Sequence, residues 1–156
     1  MNFKKYFRSF FNGFKPGIIV FFDGDSVNMT SFVKLAQKIS SEIKYVWVNT
    51  EGASLPKKVK SNGCEVVSSP NIGKESVDML IAMLAMQECC NNKSLRELHI
   101  VSSDGDTLEI LINLAVRFPS VSFFWIYLND KPRSQKSILA GKNKPSNIHI
   151  NKMSCK

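Results

Sequence analysis

The sequence predicts a three-layer α/β/α sandwich around a mostly parallel sheet of five or six strands, in the order 3-2-1-4-5. Two observations predict it. From Gly17 onward, short β-branched or aromatic runs alternate with longer segments of helical period. Crossovers of that length return the chain to the same end of the sheet before each new strand begins, which forces parallel pairing. A chain of 156 residues with 44% hydrophobic content closes one core, so a second folded domain is not expected.

Taken in order, residues 1–15 read as an amphipathic helix. Phe3, Tyr6, Phe7, Phe10, Phe11 and Phe14 recur at three- and four-residue intervals, Lys4, Lys5, Arg8 and Asn12 fill the other face, and Gly13 and Pro16 end it. Such a helix docks on its own domain by the aromatic face, or meets a membrane surface or a partner groove. The α/β domain spans 16–130. Residues 18–22 form strand one, and 30–43 a helix with Phe32, Leu35, Ala36, Ile39 and Ile43 inward. Strand two is 45–49, a short basic helix is 55–62 ended by Gly63, and strand three is 65–68. The longest helix is 74–90, strand four 98–102, the next helix 107–118 stopped by Pro119, and strand five 121–128. Residues 131–156 are a basic loop with one possible edge strand at 147–151.

The net charge of +8 is unevenly spread. Residues 1–15 carry four bases and 131–156 carry seven, with no acid in either segment, whereas 16–130 holds ten bases and all thirteen acids, a net of −3. Basic ends of this kind are solvated tails, or they contact phosphates with salt-sensitive, sequence-independent affinity. The four cysteines, at 64, 89, 90 and 155, form no CxxC pair and read as reduced thiols of a cytoplasmic protein. The longest apolar runs fall far short of the roughly 20 residues that span a bilayer.

The chemistry concentrates in the acids. Strand one runs into Asp23-Gly24-Asp25-Ser26-Val27-Asn28, and strand four into Ser102-Ser103-Asp104-Gly105-Asp106. In an open parallel sheet ligands bind beyond the carboxyl ends of the strands, where the strand order reverses. With strands one and four adjacent, Asp23 and Asp104 face each other there, and Asp78, in the first turn of the long helix, reaches the same place. Crowded carboxylates repel one another, which a bound cation or a raised pKa resolves, and hard oxygen ligands suit Mg²⁺ or Mn²⁺. Each acid also has a structural role open to it. Asp25, Ser26 and Asn28 fit a turn and helix cap, Asp106 to Glu109 fits a capping box with Asp106 as the cap, and Asp78 suits a helix start.

At these residues the chain resembles the NYN family of PIN-like nucleases. The resemblance rests on "VFFDGDSVN", "KESVDMLIAML" and "HIVSSDGDTLEIL", with Ser103-Asp104-Gly105-Asp106 its most specific element. The spacing from Asp23 to Asn28 is a residue or two longer than the family's, and Met83, Leu84 and Met86 stand where many members carry another Asp. The resemblance implies metal-dependent hydrolysis of phosphodiester bonds, usually in RNA. Asp23 and Asp104 would be the principal ligands of Mg²⁺ or Mn²⁺, with Asp78 and Asp106 completing the site. Asn28 and Ser103 would bind a phosphate or orient a carboxylate, Lys74 would sit near the scissile phosphate, and the basic ends would hold the strand.

Two other readings stand beside it. Asp23-Gly24-Asp25-Ser26-Val27 also fits the nucleophile motif of haloacid-dehalogenase-like phosphatases, with Ser102 as the next element, although the only acid after Glu109 is Asp130. A non-catalytic adaptor, binding RNA or protein through its basic ends, fits the absent helix Asp. A homodimer through the N-terminal helix or a sheet edge is open.

Overall fold

The computed structural model describes residues 15–28, 31–32, 42–54, 59, 63–70, 73, 75–127 and 144–153. Its elements are β1 (Ile18–Asp23), β2 (Ile43–Thr50), β3 (Glu65–Ser69), α1 (Ser76–Asn91), β4 (Glu97–Val101), α2 (Asp106–Arg117), β5 (Ser122–Tyr127) and β6 (Ile148–Lys152). The six strands make one sheet in the order β3-β2-β1-β4-β5-β6, and every pairing is parallel. The predicted α/β sandwich is borne out, and the possible edge strand joins the sheet as β6. The N-terminal helix, most of the helices expected at 30–43 and 55–62, Lys74 and most of the basic loop lie outside the described residues.

The strand sequences explain the layering. β1 reads Ile-Ile-Val-Phe-Phe-Asp and is buried on both faces, as a central parallel strand must be. Its odd-numbered positions Ile19 and Phe21 face one core, with Val46, Val48, Leu98, Ile100, Phe123 and Trp125, under α1 and α2. Its even-numbered positions Val20 and Phe22 face a second core with Tyr45 and Trp47, joined by Phe32 and Val59. In that second core the Phe32 ring stands edge-on to Phe22 and Trp47, at centroid distances of 5.0 and 5.6 Å.

Element ends differ from expectation by one or two residues at several places, and two of these bear on the packing and the site. Ile43, expected at the end of a helix, is the first residue of β2 and pairs with Ile18, so its apolar side chain serves a strand rather than a helical stripe. Ser102, expected within strand four, lies just past β4, although its N–H still donates to the Ile126 carbonyl at 3.1 Å. Both shifts are of the size expected where hydrogen bonding, not composition, sets the end of an element.

The return to β6 is anchored by one side chain. Asn147 Nδ2 donates to the carbonyls of Val121 at 2.8 Å and of Ala115 and Phe118 at 3.3 Å, satisfying acceptors at the carboxyl end of α2. The segment entering β6 is thereby fixed against α2, and β6 can pair in parallel with β5. Asn147→Ala is expected to lower stability by about 1–2 kcal/mol, as loss of a shared, partly buried donor does. An unchanged denaturant midpoint would show that α2 and β6 do not depend on this contact.

Candidate functional site

β1 and β4 are neighbours, and the strand order reverses between them. Their register pairs Phe22 with Val101, so Asp23 and Ser102 are the next residues at the same sheet end. Asp23 is 4% exposed, a burial a carboxylate tolerates only when hydrogen-bonded. Its Oδ2 accepts the hydroxyls of Ser26 and Ser102, each at 2.6 Å, and its Oδ1 accepts the Asp25 N–H at 3.2 Å.

The two serines also hold the β4–α2 loop. Ser26 Oγ accepts the Ser103 N–H at 3.1 Å, and Ser102 Oγ accepts the Asp104 N–H at 3.0 Å. Asp104 Oδ1 in turn accepts the Asp106 N–H at 3.1 Å, and the Asp104 carbonyl accepts the Thr107 hydroxyl at 2.6 Å. Thr107 Oγ1 takes a bond from the Trp125 indole at 3.0 Å, so the loop carrying Asp104 stands on the floor of the core.

Asp78 enters from α1. Its carboxyl is pushed up from an ordinary 3.8 to about 7, by burial first and then by the charges of Asp23, Asp104, Asp106 and Glu75. The other three acids proposed from the sequence thus all act on Asp78. Glu75, which the sequence reading did not single out, adds to the same field. Among the described residues, no three His, Cys, Asp or Glu side chains are placed so as to hold a metal ion.

Several residues take other roles than those expected. Asp106 is not the cap of α2: Gly105 occupies that position and no side chain caps it. The residue that engages the helix start is Asp104, whose carboxylate is two residues from the Asp106 N–H and therefore in reach. Asn28 Oδ1 accepts both the N–H and the hydroxyl of Ser31 at 2.9 Å, a helix-cap arrangement that leaves Asp23 to Ser26. The Ser103 hydroxyl is buried and has no hydrogen-bond partner among the described residues. Asp25 turns toward β2, where the Thr50 hydroxyl donates to its carboxylate at 2.6 Å. The sequence reading missed Ser26 and Ser102 as ligands of Asp23. Their only signal was a hydroxyl three residues after one acid and two before another.

The turn after β1 depends on a glycine. A Cβ on Gly24 would overlap the Trp47 indole nitrogen and lie 2.9 Å from the Val48 carbonyl, the same carbonyl that accepts the Gly24 N–H at 2.7 Å. A shallow cavity of about 350 Å³, lined by Lys15, Gly17, Glu42 and Arg96 among others, lies at the opposite, amino-terminal end of the sheet and takes no part in the acid site.

Comparison with known protein families and with curated proteins finds no match for this chain.

An Asp78 carboxyl whose folded pKa lies above its unfolded value opposes folding once ionised, so its cost appears as pH rises through the interval from about 4 to about 7 and is complete above it. Asp78→Asn is thus expected to raise Tm at pH 8 by roughly 2–4 °C, the change that ~1 kcal/mol produces in a domain of this size. The gain should fade toward pH 4. A lower Tm at pH 8 would mean that Asp78 has a stabilising partner. Gly24→Ala should destabilise by about 1–3 kcal/mol through overpacking against Trp47, with a change in tryptophan fluorescence. An alanine variant with native stability and emission would contradict the close approach.

Proposed function

We propose that the chain is a metal-dependent nuclease acting on RNA, with Asp23, Asp78, Asp104 and Asp106 as its metal-binding carboxylates. The observation that carries this reading is that Asp23, Asp104 and Asp106 all act on Asp78 near the sheet's switch point, where burial first and then these acidic neighbours push its carboxyl up to about 7. The resemblance to the NYN family of PIN-like nucleases supplies the reaction class.

The donor set fits Mg²⁺ or Mn²⁺ in chemistry, since it consists of carboxylates backed by hydroxyls. It fits in charge as well, because a dication offsets the repulsion that adds to burial in raising Asp78. A bound divalent ion supplies an activated water and charge stabilisation at the leaving oxygen. The protein's own contribution is distinct. Asp23, at the end of β1, and the loop bearing Asp104 are joined by serine hydrogen bonds, so their placement is set before substrate arrives. Asp78 and Asp106 stand in the first turns of α1 and α2, whose amino ends favour negative charge. In this reading Lys74 and the basic ends engage the phosphates of the strand. Ser103 and Asn28 contribute beside the acids, Ser103 through a loop tied to Ser26 and Asn28 through its place in the turn.

One observation favours the adaptor reading. Of the residues standing where another Asp would be expected on α1, Met83 is 40% exposed, Leu84 is buried in the core and Met86 packs against it. None adds a carboxylate oxygen, and Met79 and Met83 give α1 an apolar outer side suited to a partner. No helix among the described residues is long and apolar enough to cross a membrane.

A manganese-supplemented assay on single-stranded RNA separates these readings. The wild type should cleave, and Asp104→Asn should lose at least about 100-fold in rate, as removal of a charge-stabilising group does. RNA binding without turnover in either protein would leave the adaptor standing.

A further inference from the structure

We propose that Ser26 is a positioning residue, one that fixes the orientation of the Asp23 carboxylate and couples it to the loop bearing Asp104. The inference rests on the metal-site reading for its function, and on hydrogen bonding alone for its geometry.

A serine hydroxyl has one proton and two acceptor lone pairs. Ser26 and Ser102 both approach Asp23 Oδ2 at 2.6 Å, a charge-assisted length, so each commits its proton to the carboxylate. Their mutual distance of 3.2 Å is then the contact of two donors sharing one acceptor. With their protons committed, each oxygen is free to accept, and each accepts from the β4–α2 loop: Ser26 from the Ser103 N–H and Ser102 from the Asp104 N–H. Two parallel relays result, each running from a main-chain N–H through a serine to Asp23 Oδ2.

The relays make the two oxygens of Asp23 unequal. Oδ2 is engaged by two short bonds, while Oδ1 receives a single N–H, that of Asp25, at 3.2 Å. Oδ1 is therefore the oxygen with acceptor capacity left for a cation. Ser102 belongs to the same loop as Asp104, so its relay only braces that loop against Asp23. Ser26 comes from the turn after β1, and its relay ties that turn to the loop after β4. The orienting task that the resemblance gives to Asn28 thus falls to Ser26, because the side-chain oxygen of Asn28 is engaged by Ser31.

The test compares wild type, Ser26→Ala and Ser26→Thr, the last of which keeps a hydroxyl. In the metal-free protein, the Asp23 carboxyl ¹³C resonance and the Ser103 amide proton should both move in Ser26→Ala and return toward wild type in Ser26→Thr. Mn²⁺ affinity measured by calorimetry should fall about 10- to 100-fold in Ser26→Ala, the usual effect of removing a partner of a metal ligand, and recover in Ser26→Thr. If alanine disturbs the turn, Ser26→Cys keeps the volume with a poor donor, and the same resonances are read. Unmoved Asp23 and Ser103 resonances in a folded Ser26→Ala protein would overturn the proposal. Resonances that move while no protein binds Mn²⁺ would sustain the positioning role and overturn the metal reading instead.

Discussion

Parallel pairing of β1 with β4 sets Phe22 beside Val101, and the residues that follow, Asp23 and Ser102, meet where the strand order turns. A shift of one residue in that register would exchange the two faces of β4 and turn Glu97 and His99 toward the core that Leu98 and Ile100 fill. The register is held from both sides, by Ile19, Phe21, Leu98 and Ile100 in one core and by Val20, Phe22 and Val101 in the other. The position of Asp23 beside the β4 loop is therefore a consequence of core packing. The hydrogen bonds from Ser26 and Ser102 then compensate for the burial of its charge.

The same packing supports the second acid. Trp125, fully buried beneath the sheet end, donates to Thr107, and Thr107 donates to the Asp104 carbonyl. A chain of bonds thus runs from the apolar interior to the acid loop, and rigid support of this kind is what a preorganised site requires. Among the described residues Asp78 has no comparable framework, and it feels the other acids through space. Burial and four negative neighbours raise its carboxyl, so part of the fold's stability is given up to keep the acids together.

Most of the fold was legible because its signals are local. The run Ile18 to Phe22, the helical period from Val77 to Ala85 and the alternation through strands four and five each reflect burial, which composition records directly. The sheet end carrying Asp23 and Asp104 was legible for the same reason, since each acid follows an apolar strand. Hydrogen-bond partnership was not. Nothing in the spacing separates a serine that completes a turn, as Ser26 seemed placed to do, from one that bonds a buried carboxylate 79 residues from its second donor, as Ser102 does. Asn28 carried a site-like pattern yet serves the helix start, and Asp106 carried a cap-like pattern while Asp104 does the bonding. These contacts depend on tertiary placement, which residue types alone do not specify.

The central claim, that the sheet end bearing Asp23, Asp78, Asp104 and Asp106 holds a divalent cation, is tested most directly by paramagnetic broadening of amide resonances on adding substoichiometric Mn²⁺. The account predicts that the amides of 23–26, 78 and 103–106 broaden first, while those of 17, 42 and 96–97 at the other end of the sheet stay sharp. Broadening that begins at Glu42 and Glu97, or that is uniform across the acidic residues, would contradict it.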